Sequence, residues 1–140
     1  MKFLLLLTLG FISILGINGQ TFVSYGTGVA GIPYQSQMLP TMKYGCLVLA
    51  CCVKGGLGSR NQVIAARNWA LGQGYIRSDN YVLIDSNTLA QRISQKYGTT
   101  YHSDLIIKKC VYGGGSTHFY LVNSSGKEVF NSAGLGWHGN

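Results

Sequence analysis

The apolar positions fall into runs with different periods, and glycines separate them. Cys46-Leu47-Val48-Leu49-Ala50-Cys51-Cys52-Val53 is apolar on every side, with Gly45 before it and Gly55-Gly56 after it. An element hydrophobic all round is buried, and Leu and Ala between glycines favour a helix of about two turns over a core strand. From Arg60 to Leu71 the pattern turns amphipathic: Val63, Ala66, Trp69 and Ala70 fall near one face, and Arg60, Arg67 and Asn68 near the other. Ser59 is placed to cap that helix, and Gly72 and Gly74 to end it. A second amphipathic helix carries Leu89, Ile93 and Tyr97, with Ser86 or Asn87 as its cap and Gly98 as its terminator.

Shorter apolar runs predict strands. Tyr81-Val82-Leu83-Ile84 reads as one, Leu105 to Tyr112 as another, and Thr117 to Asn123 as its partner across the turn Gly113-Gly114-Gly115-Ser116. Ser124-Ser125-Gly126 turns again into Lys127 to Phe130. Upstream, Thr21 to Gly31 is an irregular, glycine-rich arm, Ile32 to Gln37 reads as extended, and Pro40 discourages any helix before Lys43. Helices first and an antiparallel meander afterwards imply an α+β architecture.

The first residues bound the domain. Met1-Lys2, the apolar stretch Phe3 to Ile17 and then Asn18-Gly19-Gln20 read as a cleavable signal peptide over 1–19, which implies a secreted, extracellular protein. A membrane-spanning helix needs about 20 apolar residues, and Thr8, Gly10, Ser13 and Gly16 dilute this shorter segment. Residues 20–140 then form a single domain, with no linker or repeat to divide it.

Charge and cysteines refine that picture. Eleven basic residues face four acidic ones, Asp79, Asp85, Asp104 and Glu128, for a net charge of +7. Such a charge favours an anionic target, but the basic residues do not cluster beyond Lys108-Lys109 and read as a solubility charge. No basic run is interleaved with aromatics, so no nucleic-acid partner is expected. All four cysteines, Cys46, Cys51, Cys52 and Cys110, lie beyond the signal, and an even count in an exported chain suggests disulfides. If Cys46 is free, Cys51 or Cys52 with Cys110 is the expected intrachain bridge, and one thiol is left over. The cysteine spacing lacks the short pairs of zinc knuckles, and no metal or cofactor is expected.

The candidate chemistry rests on Cys46 and His118. A thiol in the first turn of a helix gains thiolate character from backbone N–H groups and the helix dipole. His118, opening the strand Phe119-Tyr120-Leu121-Val122, is placed to take and return the proton. His102 and His138 are alternative bases, the first in a polar turn and the second in a glycine-rich tail.

The segment Gln37-Met38-Leu39-Pro40-Thr41-Met42-Lys43-Tyr44-Gly45-Cys46 resembles the glutamine-to-Gly-Cys motif of papain-like cysteine peptidases, in the group of bacteriocin leader-processing (double-glycine) peptidases. The stretch from His118 to Val122, and Val129-Phe130-Asn131 after it, are similar to that group's histidine strand and following strand end. The likeness covers Ile32 to Gly134. It implies a papain-like fold, with an N-terminal buried helix carrying the cysteine against a C-terminal antiparallel sheet.

It also implies a cysteine hydrolase that cleaves a peptide or isopeptide bond through a Cys46 acyl-enzyme. His118 is then the base, Asn131 orients the imidazole, and Gln37 with the Cys46 N–H forms the oxyanion hole. Gln35 lies close enough to compete with Gln37. The thiol pKa is expected to drop from about 8.5 to roughly 3.5–7.5. The leader-processing relatives usually carry aspartate where this chain has Asn131, and an asparagine orients without stabilising imidazolium by charge. The same residues suit a cell-wall peptide amidase of the NlpC type. A disulfide-stabilised secreted binding or effector protein is the reading from another class.

Overall fold

The computed structural model describes residues 26–139. The expected signal segment and the arm as far as Tyr25 lie outside the described residues. Three helices come first, α1 Cys46–Lys54, α2 Arg60–Gly72 and α3 Ser86–Tyr97, followed by β1 Ile106–Tyr112, β2 Ser116–Val122 and β3 Glu128–Phe130. The strands form one antiparallel sheet in the order β1-β2-β3. The architecture is α+β.

Each helix begins and ends for a local reason. α1 buries every side chain from Val48 to Lys54 and packs against α3 and β2. Ser59 caps α2 by accepting from the Gln62 N–H at 3.2 Å. On α3 the cap is one residue earlier than expected: Asp85 accepts from the Thr88 N–H at 3.0 Å, and its negative charge suits the positive end of the helix. Gly98, at φ +66°, closes α3 in the left-handed conformation. The core gathers Val48 and Leu49 of α1, Val63 and Ala66 of α2, Leu89 and Ile93 of α3, and Leu121 and Phe130 of the sheet.

Besides the α3 cap, four local expectations change. Tyr81 to Ile84 is no strand: Val82 makes a single bridge to Ile76, while Tyr81 and Leu83 are exposed and no neighbouring strand covers them. The stretch before α1 is not simply extended, because 3₁₀ turns form at Gln35–Gln37 and Pro40–Met42. Pro40 tolerates this by standing at the first position of its turn, where no N–H is needed. Arg67, assigned by periodicity to the solvent face, is buried because the loop after α2 folds over it.

The fourth change concerns the cysteines, which are all free thiols here. The bridge expected from Cys51 or Cys52 to Cys110 is not formed. Cys51 and Cys52 are fully buried in α1, with the Cys51 thiol donating to the Ser86 carbonyl of α3, whereas Cys110 stands on β1 opposite His118. Among the described residues no helix is long and apolar enough to cross a membrane.

Candidate active site

Cys46 is the first residue of α1, and the chain ahead of it is held tightly. Asn80, buried in the loop after α2, donates from Nδ2 to the Thr41 carbonyl at 2.7 Å and the Lys43 carbonyl at 2.8 Å. Its Oδ1 accepts from Arg67 Nε at 2.9 Å, and Arg67 Nη2 donates to the Ser78 carbonyl at 2.8 Å. Tyr44 then turns through φ +62°, a conformation that costs a non-glycine residue of order 1–3 kcal/mol. Gly45 follows with no room for a side chain, since a Cβ there would sit 2.8 Å from the Met42 carbonyl oxygen. The clamp delivers the thiol to the end of the helix in one position.

His118 is buried on β2, directly opposite Cys110 in the ladder. Its Nε2 lies 2.7 Å from Asn131 Oδ1. Asn131 follows β3 and is fully buried, and all its hydrogen-bonding positions are used. Oδ1 also accepts from the Ala133 N–H at 3.0 Å, while Nδ2 donates to the Trp137 carbonyl at 2.8 Å and to Glu128 Oε2 at 3.2 Å. A backbone donor on one end and a backbone carbonyl on the other settle which way the amide points. His118 must therefore donate from Nε2, which leaves the Nδ1 lone pair as its basic site. The Trp137 ring stands edge-on against the imidazole, with centroids 5.0 Å apart.

Cys46 and His118 line one cleft of about 1240 Å³, with Gln35, Tyr44, Tyr112 and Trp137 among its walls. Of the two glutamines, the structure places Gln35 among the residues lining the cleft, whereas Gln37 is exposed and does not line it. The reason lies in the tail: the Ser132 hydroxyl donates to Gln35 Oε1 at 2.7 Å, the Gln35 N–H donates to the Ser132 carbonyl at 2.8 Å, and Gln35 Nε2 donates to the Met42 carbonyl at 3.2 Å. Proximity in sequence to Cys46 could not reveal a tie to residue 132.

The electrostatics also depart from the sequence expectation. Burial pushes the Cys46 thiol above its ordinary value, and the N–H groups of Phe119, Leu47 and Cys46 itself offset only part of that rise. The expected depression assumed that helix N–H groups act on an exposed sulfur, and this one is half-buried. Burial likewise holds His118 below its ordinary value, against the opposing pull of Asn131 and Glu128. Both shifts favour the neutral thiol and the neutral imidazole over an ion pair.

Neither of the other histidines lines the cleft. The His102 N–H donates to the Lys54 carbonyl, at the opposite end of α1 from Cys46. His138 belongs to a tail that folds back onto the sheet: its ring stacks on Tyr120 at 4.5 Å and its Nε2 meets Glu128 Oε1 at 2.6 Å. Sequence reasoning missed Glu128, Trp137 and the Arg67–Asn80 clamp as parts of the site. The one signal for Glu128 was its rarity, as one of four acidic residues and three positions before Asn131. Among the described residues no group of three or more His, Cys, Asp and Glu side chains is placed to hold a metal ion. Comparison with known protein families, with curated proteins and with solved structures finds no match to the chain.

Proposed function

We propose that the protein is a secreted, papain-like cysteine hydrolase that cleaves a peptide or isopeptide bond through an acyl-enzyme on Cys46. The observation that carries this reading is the shared cleft: a cysteine at a helix N-terminus and a histidine oriented by a fully bonded asparagine line the same cavity.

In this reading the substrate carbonyl enters the cleft, Cys46 Sγ attacks its carbon, and His118 Nδ1 takes the thiol proton as the bond forms. A positioned base of this kind contributes about 10²- to 10⁴-fold. The oxyanion is met by the Cys46 N–H and by Gln35 Nε2, in place of Gln37; a well-placed donor is worth about 3–4 kcal/mol. The tetrahedral intermediate collapses, its C–N bond breaks, and the imidazolium returns the proton to the departing amine. Water then attacks the thioester with His118 again as base, which releases the acid and the free thiol.

A p-nitrophenyl ester tests the chemistry. A burst of nitrophenolate with an acyl adduct on the peptide containing Cys46, absent in Cys46→Ala and slowed at least a hundredfold in His118→Ala, is the expected result. No adduct on the folded protein would leave a binding or effector protein as the better reading. The excess of basic over acidic residues is compatible with a second enzymatic reading, an amidase acting on anionic wall polymer. Parallel digestion of casein and purified cell-wall fragments separates the two.

A further inference from the structure

An asparagine beside the histidine holds the ring without giving it charge, but a carboxylate stands one residue further out. Glu128 Oε2 accepts from Asn131 Nδ2 at 3.2 Å and from the Gly136 N–H, while Oε1 meets His138 Nε2 at 2.6 Å. Its side chain is only 15% exposed. Asp79, the carboxylate that lines the cleft itself, is held by Arg77 at 2.6 Å. The titratable groups around the imidazole are Cys46 from α1, Cys110 from the facing strand, Glu128 from β3 and His138 from the tail.

We propose that Glu128 is the charged positioning residue of this site, acting on His118 through the Asn131 amide and tying down the tail that sets Trp137 against the imidazole. The inference rests on the hydrolase reading above. A carboxylate that accepts from Nδ2 polarises the amide and enriches Oδ1 in electron density, which strengthens the bond from His118 Nε2–H as the ring becomes imidazolium. The charge that the asparagine lacks is thus supplied at one remove. The same carboxylate holds Gly136 and His138 on either side of Trp137, so charge and packing come from a single residue.

Glu128→Gln preserves the shape and removes the charge. Its effect is read from the His118 titration by NMR and from turnover of the p-nitrophenyl ester. The His118 titration is expected to move to lower pH by about half a unit to one unit. The kcat value should fall about tenfold at nearly constant KM, the usual scale for an outer hydrogen-bond partner. Adding Asn131→Asp to that variant moves the charge one residue inward and should restore both. His138→Gln, which leaves the carboxylate in place, should not lower the His118 titration. An unchanged titration and rate in Glu128→Gln, or the same losses in His138→Gln, would overturn the proposal. Should Glu128→Gln not fold, Glu128→Ala gives the same readouts. A protein with no acyl transfer at all sinks the hydrolase reading alone, because the titration still decides the role of Glu128.

Discussion

Asn131 decides the tautomer of its neighbour by geometry. Both ends of its amide are tied to the backbone, at Ala133 and Trp137, so His118 keeps its Nδ1 lone pair free, the atom that serves as base in the proposed reaction. In the proposed reaction the base must be neutral to act, and burial favours the neutral imidazole of His118. The acid limb of kcat/KM is therefore expected below pH 6.5, with activity lost as pH falls through it. Asn131→Ala removes an interaction that favours imidazolium, so that limb should move further down even as the rate drops; a pH–rate profile of both proteins checks this. Cys46 makes a second prediction. Because burial raises its pKa above the ordinary thiol value, iodoacetamide should label it slowly at pH 6 and ever faster through pH 9. A plateau reached by pH 6 would instead reveal a thiolate–imidazolium pair.

Among the elements, α1 is the least self-sufficient and the most constrained from outside. Its N-cap, Gly45, offers no side-chain hydrogen bond, so the position of Cys46 depends on the turn before it and on the Asn80 clamp. Asn80→Ala breaks three hydrogen bonds, a buried one from a guanidinium left without that partner and two partly buried ones, and should cost about 3 kcal/mol by urea denaturation. Gly45→Ala tests position more than stability. The added methyl presses on the Met42 carbonyl and on the turn that Gln35 Nε2 holds, so acylation of Cys46 should fall at least tenfold while the cooperative unfolding transition survives. Equal acylation rates for Gly45→Ala and the parent would show that the turn does not set the position of the nucleophile.

At the scale of the whole molecule, the sheet and α1 share one core, and the site lies at its rim. Leu121 and Phe130 pair across β2 and β3, and both are fully buried. Phe130→Ala should therefore cost about 3–5 kcal/mol by chemical denaturation and loosen Asn131, its neighbour in sequence. The order of elements, the Ser59 cap, the Gly98 stop and the meander were legible in the sequence, because apolar period, caps and tight turns are properties of a few neighbouring residues. Cys46, His118 and Asn131 stood out for the same reason, as residue types at element ends. Other features depend on partners distant along the chain. Tyr81 to Ile84 has strand composition but no partner, and Arg67 has a solvent-face position but a loop above it. Only tertiary structure seats Gln35 rather than Gln37 in the cleft that Cys46 lines, through Ser132, and sets Glu128 behind Asn131. The shifts that favour a neutral thiol and imidazole belong there too, because burial is a sum over the whole fold. Local pattern determines which elements form, whereas packing decides which side chains meet and what charge they carry.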